Sequence, residues 1–339
     1  MDCLVTKLKG NVSDDSLLKM GEFRAYFQPK EGGVDKTKIQ FTVNGDVTVS
    51  VIGSGTLSDS EEGEYKDSIT IKGTDVSKIL YFTDDVEEIS VLNKYAVTGM
   101  YISSDWNCKN DFYIKDLNQA FDYSKLQYLK VELNTKKLVS LDIERLDLSS
   151  ISILLLGNSY EPSLVMNNMA DNIYGEITTI GDADTINLSI CGTKVKLNLS
   201  LWNGKTMVPN IMYSGAYGDI ANFSAINSAF RLNLHGTKGI YGDLSKLPNC
   251  YLVTTNSSNI NDNTFTWTSK GSSMKYKNIL KNVHVTSGLD QYFIDMATLP
   301  NSSETSEKSI IIKGTRTSAS DSAVQTLQSQ GYTIQVINE

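Results

Sequence analysis

The chain has little of what metal and nucleophile chemistry uses. It holds two histidines, His235 and His284, and four cysteines, Cys3, Cys108, Cys191 and Cys250. No two cysteines are close in sequence and none forms a CxxC pair, which argues against a zinc knuckle or a thioredoxin-type site. Four scattered cysteines make no disulfide framework and read as buried free thiols. Neither histidine has a serine nucleophile motif nearby, and two isolated histidines do not build a His-rich metal site. No glycine-rich phosphate loop follows a strand, since Gly53-x-Gly55 is a lone fragment. No stretch approaches the ~20 apolar residues of a membrane span. Residues 1–16 lack the apolar segment of a secretion signal, so export by the usual route is not expected. Lys and Arg number 31 against 39 Asp and Glu, a net charge of −8, and the basic residues are scattered. A nucleic-acid partner would call for a concentrated basic stripe.

The chain is rich in Ser, Thr, Asn and Tyr. Thr and Tyr suit a pleated surface, and Asn and Ser suit turns. A short pattern recurs: two aliphatics one residue apart, any residue, then Gly-Thr. It reads Ile69-x-Ile71-Lys72-Gly73-Thr74, Leu188-x-Ile190-Cys191-Gly192-Thr193, Leu232-x-Leu234-His235-Gly236-Thr237 and Ile310-x-Ile312-Lys313-Gly314-Thr315. A second pattern is Tyr-Gly-acid-aliphatic, at Tyr174–Ile177, Tyr217–Ile220 and Tyr241–Leu244. The last two copies lie about one leucine-rich repeat apart. Alternating aliphatics make a short strand with one inward face, and the glycine lets the chain leave it with φ > 0. No single unit can bury its apolar face, so the units must stack. Weaker units appear at Val86, Ile89, Val91 and Leu92, at Leu126, Leu129, Val131 and Leu133, and at Ile151, Ile153 and Leu155.

The two ends differ from this pattern. Leu4–Val12, Glu22–Phe27 and Ile39–Gly53 read as strands, and Asn44-Gly45 between Ile39/Phe41/Val43 and Val47/Val49/Val51 signals a hairpin. Gly53–Gly63 reads as a polar linker or long loop, and Pro300–Lys308 as a second exposed loop. At the C-terminal end, Ser318 or Ser320 can cap a helix with Ala323, Val324 and Leu327 on its apolar face. Gly331 stands where a left-handed helix end is expected, and Tyr332–Ile337 alternates as a closing strand.

These units resemble leucine-rich repeats, although the fixed asparagine ladder of typical ones is missing. Ile310–Val336 resembles the closing unit of repeat proteins of gut Bacteroidetes and their phages. The segment KLKGNVSDDSLLKMGEFR (residues 7–24) is similar to the start of virion-associated proteins of crAss-like and related Bacteroides phages. The expected fold is therefore mainly β with α/β repeat character. Residues 1–65 would form a small β-sandwich-like domain for docking or oligomerisation. Residues 66–339 would form an irregular leucine-rich-repeat solenoid whose helix-strand cap is 309–339. The resemblance implies a head or tail fibre or decoration protein, made in the host cytoplasm and carried in the virion. Its N-terminal domain would meet other virion proteins or a second copy, and its repeat face a host-surface protein or glycan. A bacterial surface or secreted adhesin of the same fold is the alternative. A carbohydrate-active enzyme on a β-solenoid is a third possibility.

No cofactor and no catalytic set is expected. The densest carboxylates, Asp84-Asp85 with Glu87-Glu88 and Glu61-Glu62-Glu64, read as solvated loops rather than as a metal or glycosidase site. Asp219 and Asp243 belong to the repeat and read as partners of backbone amides. Candidate binding residues are Trp202, Trp267, Tyr217, Tyr241 and His235. Trp and Tyr offer rigid area with a polar tip, and His235 fills a slot that elsewhere accepts Lys. For Trp106, Trp202 and Trp267 a place at the ends of the core remains the competing reading.

Overall fold

The computed structural model describes residues 21–28, 37–83, 85–103, 111–114, 125–132, 141–157 and 170–338. They are mainly β, in three sheets, antiparallel toward the N-terminal end and parallel beyond it. Leu4–Val12, Leu133 and Trp106 lie outside the described residues.

Two sheets make the antiparallel part. One runs in the order Ser68–Ile71, Val47–Ile52, Glu88–Leu92, Glu22–Gln28, Asp111–Ile114. The other begins with Leu57–Ser58, Thr74–Phe82, Thr37–Asn44 and Val97–Ser103. Ile39, Phe41 and Val43 of one sheet and Val47, Val49, Ile89 and Val91 of the other are buried in the same apolar cluster. This is the period-two pattern of strands with one inward face.

The pairing corrects four expectations. The strands flanking Asn44-Gly45 do not pair as a hairpin, because they belong to different sheets. Thr37–Asn44 pairs instead with Thr74–Phe82, a longer partner than Val47–Ile52, and Val47–Ile52 pairs with Glu88–Leu92. Gly45 (φ 126) takes the chain across, and its N–H donates to Gly73 O (2.7 Å) at a matching corner. Second, Ile69–Thr74 and Val86–Leu92 are antiparallel strands and corners, not parallel repeat units. Third, the expected division at 65/66 falls inside this region, since strands up to Val97–Ser103 pair antiparallel with Thr37–Asn44. Fourth, Gly53–Gly63 joins no separate domains, and it carries the short strand Leu57–Ser58, both residues buried.

After Val97–Ser103, apart from Asp111–Ile114 on the edge of the first antiparallel sheet, the described strands pair in parallel. A first ladder passes from Val97–Ser103 to Tyr128–Glu132, Ile153–Leu156 and Asn187–Ser189. Ser189 bridges Asn210, and Tyr213 N–H donates to His235 O (2.7 Å). The ladder continues through Phe230–Asn233, Cys250–Thr254, Ile279–Ser287, Ser309–Lys313 and Thr333–Ile337. A second ladder runs Leu141–Asp142, Ala170–Ile177, Thr193–Asn198, Gly215–Asp219, Ile240–Asp243 and Thr264–Thr266. The nine-residue strand Ile279–Ser287 belongs to both. Its first half pairs with Cys250–Thr254, its second half with Thr264–Thr266. Between the halves, Asn282 takes φ 58, where the register to Ser309–Lys313 shifts.

Buried residues of both ladders, including Leu188, Ile190, Leu197, Leu232, Leu234, Ile240, Val253, Phe265 and Ile312, join one cluster with those of the antiparallel part. Each such side chain contributes about 1.5–3 kcal/mol by leaving water. In Ile153–Leu156 the inward residues are Leu154 and Leu156, so Ile153 and Leu155 point the other way from the expected phase.

Two helices close the C-terminal end. Helix α1 (Leu289–Thr298) was not expected, although Leu289, Tyr292, Phe293 and Met296 are spaced i, i+3, i+4, i+7 and all are buried. Helix α2 (Asp321–Ser329) is the expected one, with Val324 and Leu327 buried. Its capping differs. Thr317 Oγ1 accepts from Ala319 N–H (3.2 Å) to start a 3-10 turn at Ser318–Ser320, and Ser320 donates to Asp290 Oδ1 (2.6 Å) instead. Gly331 takes φ 88, and Thr333–Ile337 pairs with Ser309–Lys313 as the final strand.

Candidate binding face of the second ladder

Both recurring motifs are devices for turning corners between stacked strands. In two of the four Gly-Thr copies the hydroxyl folds back on its own strand. Thr193 Oγ1 donates to Ile190 O and Thr237 Oγ1 to Leu234 O, both at 2.8 Å, with both threonines buried. A copy hidden in the sequence does the same, with Ser214 Oγ donating to Ile211 O at 2.7 Å. There Tyr213 takes the left-handed slot (φ 50) that glycine fills elsewhere. Gly236 must then be small, because a Cβ there would lie 2.2 Å from the Tyr213 ring.

The Tyr-Gly-acid motif ends second-ladder strands. Asp219 Oδ1 accepts from Ala221 N–H (2.8 Å) and Asp243 Oδ1 from Ser245 N–H (3.0 Å), each capping a 3-10 turn. Asp142 and Asn198 cap the equivalent turns. The glycine leaves room for the cap one strand back. A Cβ at Gly175 would lie 2.5 Å from Asp142 Oδ1, and one at Gly242 2.3 Å from Asp219 Oδ1. Burial raises the Asp243 pKa, but hydrogen bonds from Ser245 and Thr268 outweigh it and hold the carboxyl below the usual range. These carboxylates therefore work on backbone amides, as their place in the motif implied. Buried Asn249 and Asn263 also bridge segments, to Ile226 O (2.9 Å) and Thr237 O (3.1 Å).

The tryptophans correct the list of binding candidates. Trp202 is 0 % exposed and Trp267 2 %, so neither presents its ring to a partner. Trp202 Nε1 donates to Met207 O (2.8 Å). Trp267 Nε1 donates to Asp295 Oδ2 (2.8 Å), and its ring meets Tyr292 edge-on with centroids 5.2 Å apart. A buried indole needs one acceptor, and each has found it. His235 is half-buried, not freely solvated. Its Nε2 lies 3.4 Å from Thr254 Oγ1, and burial, then Arg231, lowers its pKa.

What faces outward on the second ladder is tyrosine. Ile173, Val195, Leu197, Ala216 and Ile240 point inward, which sets Tyr174, Lys194, Lys196, Tyr217, Asp219 and Tyr241 on the other face. Tyr241 is 52 % exposed and Tyr174 42 %. Tyr217 is partly exposed, and its hydroxyl donates to Glu176 Oε1 (2.6 Å), two strands away. That bond, then burial, raises the Tyr217 pKa. The structure thus brings Tyr217 and Tyr241 together on one face and leaves Trp202, Trp267 and His235 off it. Tyr174 was missed, although it fills the same motif slot and the pattern alone would have found it.

No group of three or more His, Cys, Asp or Glu suited to a metal occurs among the described residues. Among the same residues, no helix is long and apolar enough to cross a membrane. No family model, curated protein or solved structure matches the chain.

Proposed function

We propose that this chain is a binding and structural protein, a phage virion component of the fibre or decoration kind, rather than an enzyme. In this reading the two parallel ladders are successive coils of an irregular leucine-rich-repeat solenoid. The antiparallel region begins the stack and meets other virion proteins or a second copy, and the outer face of the second ladder meets the host surface. One observation supports the repeat reading above the others: Asx caps recur at Asp142, Asn198, Asp219 and Asp243, and Gly175, Gly218 and Gly242 each face the cap on the strand before, leaving room for it. That is what a repeated unit stacked on itself requires. The virion role rests on the resemblance of residues 7–24 and 310–336 to phage and Bacteroidetes proteins. Mass spectrometry of purified particles from the source tests it. The expected result is this chain as a stoichiometric component that survives protease treatment of contaminants. Its absence from particles, with the protein present in the producing cells, removes the virion role.

A further inference from the structure

The geometry points to a neutral oligosaccharide as the ligand of the tyrosine face, an inference that deepens the binding role just proposed. Tyr174, Tyr217 and Tyr241 stand on the outward face of strands Ala170–Ile177, Gly215–Asp219 and Ile240–Asp243. Tyr241 is opposite Asp219, two residues beyond Tyr217, so the two rings are diagonal neighbours. The Tyr217 bond to Glu176 draws its ring sideways across the sheet toward the strand of Tyr174, and no side chain at Gly239 stands beside it. The result is a diagonal of three phenol rings on a sheet face.

The surroundings choose the ligand class. The centre of a protein–protein contact is depleted of charged residues. Here polar groups of both signs lie between the rings. Tyr174 is opposite Lys194, Glu176 opposite Lys196, Tyr217 opposite Asn198 and Tyr241 opposite both Asp219 and Thr264. Lys238 and Asp262 pair at the border (3.6 Å). A ligand that fits must offer apolar faces to the rings and hydroxyls to the groups between them, which a pyranose chain does. Charges of both signs leave no excess to attract a polyanion. Three strand spacings of about 4.8 Å each, together with a register that steps along the strands from Tyr174 to Tyr217 to Tyr241, separate the outer two rings, so one ligand touching both spans several sugar rings.

The test is titration calorimetry of the full chain with cellohexaose, xylohexaose, mannohexaose and maltohexaose, each uncharged. At least one is expected to bind. Tyr174→Ala and Tyr241→Ala are each expected to weaken it about tenfold, with circular dichroism unchanged. Leu92→Ala, an exposed apolar site on the antiparallel sheet, is expected to bind like the parent. Tyr217→Phe keeps the ring and loses its anchor, and a smaller loss is expected. Failure of all four sugars to bind overturns the inference, and so does sugar binding indifferent to both alanine variants. Capture of a polypeptide that depends on Tyr174 and Tyr241, with no sugar bound, also overturns it and leaves the broader binding role standing. Particle mass spectrometry reads the virion role independently of any sugar result.

Discussion

The sequence Ile/Leu-x-Ile/Leu-x-Gly-Thr occurs on both sides of the molecule and does different work in each. In the parallel region Thr193 and Thr237 are buried, and their hydroxyls return to the carbonyls of Ile190 and Leu234. In the antiparallel region Thr74 is exposed and opens the strand Thr74–Phe82, and Gly73 receives the N–H of Gly45 from a neighbouring corner. A parallel strand cannot reach its partner by a tight turn, so the chain must leave the sheet and come back. Its corners then stack on identical corners and are closely packed. The antiparallel corner at Gly73 meets one neighbouring corner, at Gly45, and belongs to no series of them. The same pattern is therefore a corner in both places, but its threonine is buried only inside the stack: Thr315, in the last parallel copy, is exposed like Thr74.

The largest test of this contrast removes a buried ring. Trp202→Ala and Trp267→Ala should each cost about 3–5 kcal/mol in urea unfolding. If either is a contact residue instead, stability will stay near the parent value. Next come two glycines. A Cβ at Gly288 (φ 82) would lie 1.7 Å from Trp267 O, whereas one at Gly53 (φ 110) meets nothing within 4 Å. Gly288→Ala should cost roughly 3 kcal/mol and Gly53→Ala about 1 kcal/mol, the second from backbone strain alone. Equal losses would mean that the parallel corners are no tighter than the antiparallel loop. Smaller still is the threonine pair. Thr237→Val should cost about 1–2 kcal/mol through its lost hydrogen bond, and Thr74→Val less than about 0.5 kcal/mol. Thermal melts of the two variants side by side decide this.

The mildest effect is with acid. The folded pKa of Asp243 is lowered, so its contribution to stability is complete above the ordinary aspartate value of about 3.9. It fades as pH falls through the lower folded value. Asp243→Asn should therefore lower the melting temperature at pH 7 and narrow the gap between variant and parent near pH 2.5. A gap that widens in acid would contradict the hydrogen-bonded cap. The buried thiols behave in the opposite sense. Burial pushes Cys250 up to about 12 and Cys191 to about 11, so both should resist alkylation at pH 8 until the chain unfolds.

Much of the strand content could be read from alternating aliphatics, and the Gly-Thr and Tyr-Gly-acid patterns marked where strands end. The closing helix and strand were legible because Val324, Leu327 and Gly331 carry local signals. Three features were not. Which sheet a strand joins depends on distant partners, so Asn44-Gly45 looked like a hairpin while Thr37–Asn44 was better served by Thr74–Phe82. The corner at Ile211–Ser214 was masked because Tyr213 adopts a left-handed backbone that sequence assigns to glycine. The fate of Trp202 and Trp267 was hidden by polar neighbours in sequence, since burial is set by residues such as Tyr292 that approach from elsewhere. Helix α1 is different, because its i, i+3, i+4, i+7 spacing at Leu289, Tyr292, Phe293 and Met296 is legible in the sequence itself. On the outward face of the second ladder, the motif pointed to Tyr217 and Tyr241, but exposure could be judged only once the inward partners Val195, Ala216 and Ile240 were placed.

The parallel register of the second ladder carries the whole account, and paired cysteines measure it. Tyr241 and Thr264 are direct partners, within the reach of a disulfide. Oxidation of the Tyr241→Cys/Thr264→Cys chain should cross-link it completely, read by mass spectrometry of peptides. The Tyr241→Cys/Thr266→Cys chain, two positions out of register, should stay largely reduced. Equal cross-linking of the two, or preference for the second, would contradict the stacked parallel strands.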